Sequence, residues 1–451
     1  MKTLLCLALL ASVAAETGCT AVKAYHLDHP VTLLPNNISL AYIEFDDNGE
    51  MYDQHLTSDP ASPLVRPELD QTIQRIQDLQ AGSTAGVNVV VFIHGWKNNA
   101  DNTSNVAGFR DFLNEVYSFY SGSSSGPPAS TRPLMGIYIG WRGESLEVAQ
   151  DLTYFTRSAA TLRVAGPHLE EALYRIIRTV KTVPRGATST SPSTLIVIGH
   201  SFGGRILERV MTPYFEQKML SLDGDHLQGC AAGSVNINDT SRWRITDPLP
   251  DLTVLLNEAA PATDAKQFLE FLKCHAVAYS RQDPGYQSQD VNYPLFLSIT
   301  SDGDAATSIA LPLGQAVGSL PLRTRNYSAP DPPEIPSQIT YFTHSTANIP
   351  ALNSHEVRAS SDTCAAHGET EVHLAQANPA GYHFCTVPTT KVAGEPYWNH
   401  TPYWVAKIPV AIVPDHSNIF RPELYKFLEF FLPSPETLSG RSRSEQRVSG
   451  K

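Results

Sequence analysis

An α/β architecture, with a mostly parallel central sheet and helices on both of its faces, is what this chain of 451 residues predicts. Three observations carry the prediction. Short runs such as Asn88–Ile93 are continuously apolar and β-branched, as strands buried on both faces must be. Longer segments with apolar residues at helical spacing lie between them, so strand and helix alternate as in crossover units. Finally, residues 194–207 (TLIVIGHSFGGRIL) run from a buried strand through a glycine-flanked turn directly into a helix.

The elements follow in order. Leu40–Phe45 is an apolar strand, and Asp46-Asp47-Asn48-Gly49 behind it supplies hairpin turn chemistry. Pro67–Gln80 opens with a proline, which suits a first helical turn, and keeps helical spacing. Asn88–Ile93 is a strand, Asn105–Tyr120 an amphipathic helix and Met135–Gly140 a further strand. Tyr154–Lys181 is helical with a break at Gly166-Pro167, because proline inside a helix removes a backbone hydrogen bond. Thr194–Ile198 and Ser201–Phe215 are the strand and helix around the turn. Leu252–Leu256 is a strand, Asp264–Cys274 a helix, Pro294–Thr300 a strand, Ile408–Val413 the last strand and Pro422–Phe431 a closing helix.

Between about residues 305 and 405 the alternation fails. That stretch is rich in proline and carries His344, His355, His367, His373, His383 and His400. It reads as a long insertion before the last strand, either a lid over one end of the sheet or a wrap along an edge. The domain organisation is then a leader over 1–19, one α/β domain over 20–433 and a polar, disordered tail over 434–451.

Composition bounds the rest. With 42% hydrophobic and 17% charged residues the chain can bury a large core. A net charge of -12 argues against a nucleic-acid partner and against attraction to anionic membranes. Met1-Lys2-Thr3 followed by the apolar run Leu4–Ala15 describes an export signal cleaved after Ala15. A lipoprotein signal is the alternative, with a lipid anchor at Cys19, although Glu16 stands where that signal usually has leucine. The run is too short to span a bilayer and no later run is long enough, so no transmembrane segment is expected. The product is therefore secreted, periplasmic or lipid-anchored at the cell surface. In an oxidising compartment Cys230–Cys274 and Cys364–Cys385 are the expected disulfides, each pair bracketing one loop-rich region; buried thiols are the other role open to them.

The chemistry centres on Gly199-His200-Ser201-Phe202-Gly203, a G-x-S-x-G pattern between strand and helix, which is a nucleophile elbow. Ser201 must stand at the tip of a tight, strained turn. The positions two before and two after it pack together, where a Cβ would clash. Gly122-Ser123-Ser124-Ser125-Gly126 fits the same pattern but lies in a Ser/Gly/Pro run with no strand before it and no apolar helix after it, so it reads as a loop.

A serine hydroxyl needs a general base, and the base needs an acid to orient it and stabilise its cation. The acid should follow Pro294–Thr300, in Ser301-Asp302-Gly303-Asp304-Ala305-Ala306-Thr307. Asp304 is the first choice, Asp302 the second, and Glu258 after the preceding strand the third. A helix N-cap is the other role open to Asp304. The base is His416, just past the last strand, and the order Ser, Asp, His is the one the elbow predicts. Two backbone amides should hold the oxyanion: that of Phe202, and one from His94-Gly95-Trp96-Lys97-Asn98, placed at Trp96 with Gly95 allowing close approach. A core aromatic is the other role for Trp96. No cofactor is expected. No pair of the insertion's histidines shows zinc-motif spacing with a third ligand, so no metal is expected either.

Ile93-His94-Gly95-Trp96, the GHSFGG elbow, SDGDAAT and the PDH segment at 414–416 together resemble the α/β-hydrolase superfamily. Trp141-Arg142-Gly143 followed by DLTYFTRSAATLRVAG is similar to a segment of exported or microbial serine hydrolases of that fold. The resemblance spans roughly Leu40 to Pro433 outside the insertion, which departs from the pattern. It implies esterase, lipase, thioesterase or peptidase activity through an acyl-enzyme. Hydrolysis of a small-molecule or lipid ester is the expectation. A peptidase or thioesterase on the same triad, or a non-catalytic binding protein keeping the fold, is the alternative.

Overall fold

A computed structural model describes residues 24–52, 54–55, 61, 64–101, 103–122, 132–143, 154–182, 193–220, 248–274, 294–319, 338–372, 381–387 and 402–431. The leader with Cys19, residues 123–126 of the second G-x-S-x-G pattern, Cys230, His373, His400 and the tail lie outside these residues.

The apolar runs form strands because both of their faces find cover. β1 is Val31–Leu33, β2 Ser39–Phe45, β3 Asn88–Ile93, β4 Leu134–Trp141, β5 Thr194–His200, β6 Leu252–Leu256 and β7 Phe296–Ser301. Successive side chains alternate between two apolar layers. Val89, Val91 and Ile93 of β3 enter one layer, and Val90 and Phe92 the other. The first layer is closed by α1 (Pro67–Ala81), α3 (Tyr154–Val164), α4 (Pro167–Lys181), α5 (Phe202–Leu220) and α6 (Ala262–Cys274). The second is closed by α2 (Thr103–Gly122) and by Pro422–Glu429 near the end of the described chain. On α4, Leu169, Leu173, Ile176, Ile177 and Val180 form the buried stripe. Each such side chain contributes about 1.5–3 kcal/mol by leaving water. The predicted break at Gly166-Pro167 separates α3 from α4.

The same sheet continues with β8 (His355–Ala359), β9 (Thr370–Glu371), β10 (Tyr382–Thr386) and β11 (Tyr403–Ile408), while Gln54–His55 and Leu64–Val65 pair as a separate two-stranded sheet. Among the described residues this sheet has 11 strands, in the order β1-β2-β4-β3-β5-β6-β7-β11-β8-β10-β9. From β2 to β8 every neighbour is parallel; β1, β10 and β9 pair antiparallel at the edges. The class is α/β with a mostly parallel, mixed sheet. Register brings the carboxyl ends of the central strands level, with Ile93 opposite Gly199, His200 opposite Leu256 and Ser301 opposite Ile408. Strand order reverses between β3 and β5. In open α/β sheets the crevice at such a reversal, outside the carboxyl ends, is where ligands bind.

Two expectations change. The last strand is Tyr403–Ile408, not Ile408–Val413. Residues 403–413 are almost uniformly apolar, so pattern alone could not choose between the halves. Pro409 has no N–H to continue the ladder, which ends the strand before it. The insertion, in its described residues, extends the sheet: β8 pairs with β11, β10 with β8 and β9 with β10. The Cys364–Cys385 disulfide ties this extension together.

Candidate active site

The turn after β5 is the strained one. Ser201 has φ of 57°, in the left-handed region that costs a side-chain-bearing residue energy. Its backbone is held from several directions. Its N–H donates to the Leu256 carbonyl (3.0 Å), and its carbonyl accepts from Gly204 (3.0 Å), Arg205 (3.3 Å) and Ala259 (3.1 Å). The flanking glycines are needed. A Cβ on Gly199 would stand 2.5 Å from the Gly203 carbonyl oxygen, and one on Gly203 would stand 2.6 Å from that of His94.

The three residues expected to act together are together. His416 Nε2 is 2.8 Å from Ser201 Oγ, and His416 Nδ1 is 3.0 Å from each Asp304 carboxylate oxygen. A carboxylate only accepts, so Nδ1 carries the proton and Nε2 turns its lone pair to the serine hydroxyl. Asp304 is fully buried. Its Oδ1 also accepts the backbone N–H groups of Ala306 (3.0 Å) and Thr307 (3.1 Å), and its Oδ2 the Thr307 hydroxyl (2.6 Å). Asp304 is thus both the histidine's partner and the cap of the turn that follows. Burial alone would push its carboxyl up, but the hydrogen bonds from His416 and Thr307 outweigh burial and hold it below the usual carboxylate value.

The two other acid candidates lie elsewhere. Asp302 is exposed, 3.7 Å from Lys407 Nζ. Glu258 is buried behind the elbow, its Cβ and Cγ in the space where Gly204 has no side chain. Its carboxyl abuts Glu208, whose Oε1 accepts the Tyr403 hydroxyl at 2.6 Å. Burial pushes both carboxyls up, Glu208 to about 7.

The loop after β3 lies against Ser201. A Cβ on Gly95 would stand 2.7 Å from Ser201 Cβ, so only glycine permits this approach. Trp96 and Phe202 are neighbours, their ring centroids 6.1 Å apart. Phe202 is buried and Trp96 half-buried against the core, as the packing role foreseen for Trp96 requires. His94 holds the loop. Its Nε2 accepts the Trp141 N–H (3.0 Å), which puts its proton on Nδ1, donated to the Gly95 carbonyl (2.8 Å). Trp141 Nε1–H returns a bond to the His94 carbonyl at 2.8 Å. Burial pushes His94 down to about 4, so the ring stays neutral. The sequence marks His94 only as a histidine between an apolar strand and a glycine.

The described histidines of the insertion have separate partners: His344 with Thr343, His355 with Ser354, His367 with Asp362 and His383 with Glu371. Among the described residues no group of three or more His, Cys, Asp or Glu could hold a metal ion, and no helix is long and apolar enough to cross a membrane. Set against models of known protein families, curated proteins and solved structures, the chain matches none.

Proposed function

We propose that this chain is a serine hydrolase of carboxylic esters with the α/β-hydrolase fold, acting through an acyl-enzyme. The observation that carries the reading is the hydrogen-bonded series Ser201–His416–Asp304, at the carboxyl edge of the sheet where strand order reverses. Ser201 Oγ attacks the acyl carbon while His416 Nε2 takes its proton. Asp304 holds the neutral ring in the required tautomer and then stabilises the cation. The backbone N–H groups of Trp96 and Phe202 receive the oxyanion, and His416 returns its proton to the departing alcohol. Water, deprotonated by His416, then releases the acid and frees Ser201. Fixed donors at a developing charge are the largest single contribution in such reactions; losing one typically costs about 10²–10³ in rate.

The substrate is a small-molecule or lipid ester and no cofactor takes part. Export, with or without lipidation at Cys19, belongs to the same proposal. The Cys364–Cys385 disulfide supports it, because such bonds persist in oxidising compartments. The test is Ser201→Ala. The variant should keep the wild-type melting temperature, lose about 10³-fold or more of the activity toward short-chain p-nitrophenyl esters, and no longer react with a fluorophosphonate probe. Full activity in that variant refutes the proposal. A panel of ester, thioester and amide substrates separates an esterase from a thioesterase or peptidase on the same residues.

A further inference from the structure

We propose that Asn257, assisted by His200, is the positioning residue that fixes the main chain carrying His416, and so sets the aim of the histidine at Ser201. The inference rests on the reading of Ser201, Asp304 and His416 given above and adds residues that touch none of the reacting atoms.

Asn257 follows β6 directly and is fully buried, with φ of 46°. Asparagine is among the few residues with a side chain that tolerate this region. The polar groups of Asn257 reach both the neighbouring strand and the turn that carries His416. Its backbone N–H donates to the Ile299 carbonyl (2.9 Å). Its Oδ1 accepts the Ser301 N–H (2.9 Å), at the start of the turn that delivers Asp304. Its Nδ2 donates to the carbonyls of both Asp415 and His416 (3.2 Å each). One amide side chain therefore ties the acid-bearing turn to the base-bearing turn.

A second donor meets the same carbonyl from the elbow. His200 Nε2 is 2.8 Å from the His416 oxygen, and because a carbonyl only accepts, His200 carries its proton there. The two imidazole centroids lie 5.1 Å apart, close enough for two cations to repel strongly. Burial, and then the neighbouring His416, push His200 down to about 3. His200 thus remains a neutral donor while His416 gains and loses a proton. Ser301 Oγ adds a bond to the Val413 carbonyl. The side chain of Asp415 accepts from Ser417 N–H (2.9 Å) and Asn418 N–H (3.0 Å), which stiffens the turn internally but anchors it to no strand.

The experiment uses the full chain and two variants at Asn257. Asn257→Gly keeps the left-handed backbone and removes the side chain. Asn257→Asp keeps the acceptor for Ser301 N–H and sets a carboxylate against two carbonyls. A displacement of about 1 Å at a catalytic group typically costs about 10²-fold, so kcat and the fluorophosphonate labelling rate should fall about 10- to 100-fold in the glycine variant with KM little changed, and further in the aspartate variant. The downfield proton resonance of the His416–Asp304 hydrogen bond should broaden or vanish in both. If neither variant folds, His200→Phe, which removes the other donor and keeps ring volume, should show the same loss at a smaller size. Labelling and kcat within about threefold of wild type in folded variants overturn the proposal. If the wild-type serine fails to label, the hydrolase reading falls and the resonance decides this inference alone. Its loss in folded Asn257→Gly supports the clamp. Its persistence there, or its absence from the wild type, overturns it.

Discussion

Asp304→Asn is nearly isosteric, yet the contacts around Asp304 dictate that it should be severe. Oδ1 accepts two backbone N–H groups, from Ala306 and Thr307, so this position must stay an oxygen. The amide nitrogen of the variant is then forced into the place of Oδ2, beside the Thr307 hydroxyl and His416 Nδ1. There it donates to Nδ1, and the histidine proton moves to Nε2. Nε2 faces Ser201 Oγ at 2.8 Å, so it becomes a donor where the proposed reaction requires a base. The cation formed during attack also loses its carboxylate. An aspartate-to-asparagine change that inverts the tautomer in this way costs about 10⁴ in kcat, or about 5 kcal/mol at the transition state. The turn itself should hold, because the amide oxygen still caps Ala306 and Thr307. Stopped-flow or steady-state kcat on p-nitrophenyl acetate, measured beside a circular-dichroism melt, separates the two effects. A folded Asp304→Asn protein with kcat within about tenfold of wild type would refute the tautomer reasoning.

Two further outcomes test the surroundings. The buried pair Glu208 and Glu258 favours protons in the folded chain: burial pushes Glu208 from 4.5 up to about 7, and burial, then the neighbouring Glu208, push Glu258 up as well. The folded state then binds more protons than the unfolded one, so stability is greatest below about pH 4.5 as far as these groups are concerned, and falls as pH rises through 7. Glu258→Gln removes the second charge; its melting temperature should match wild type near pH 4 and exceed it increasingly toward pH 9, and parallel curves would contradict this. Replacing Cys364 and Cys385 together by serine opens a loop with a sequence separation of 21, which should lower stability by about 3 kcal/mol in a urea titration, while kcat stays near wild type because β10 and its disulfide are two strands removed from β11.

Much of the site was legible because of where parallel strands end. Ser201, Asp304 and His416 each stand just beyond an apolar run, and register forces those runs to finish level. Chain order then separated the proposed roles. The strand leading to His416 was misplaced by five residues, yet its turn was not, since Pro409 and Pro414 bound the turn whichever half of the apolar segment pairs. Glu258 was a fair rival for Asp304 by position alone. What excludes it is the left-handed backbone at Asn257 just before it, after which its side chain lies against Gly204 instead of the open edge. No local pattern announces that conformation. The same holds for His94, His200 and Asn257, whose partners lie 47, 216 and 159 positions away. A buried polar residue is recognised by its partner, and at such separations only the folded chain supplies one.

Ser201, Asp304 and His416 are not held equally, and under the proposed reaction the difference has a use. The Ser201 carbonyl receives three backbone N–H groups, and Asp304 accepts from two backbone amides and a hydroxyl besides the histidine. The ring of His416 has one partner at each nitrogen and keeps 21% of its side chain exposed, against 0% for Asp304. In the proposed reaction His416 serves two steps and needs that freedom. In the first step it takes a proton from a serine fixed in place; in the second it must deprotonate water arriving from outside. Burying the ring to the depth of Asp304 would hold the first geometry better and shut out the second reactant. The rigid hold therefore falls on the carbonyls of Asp415 and His416, through Asn257 and His200, and leaves the ring edge open to solvent.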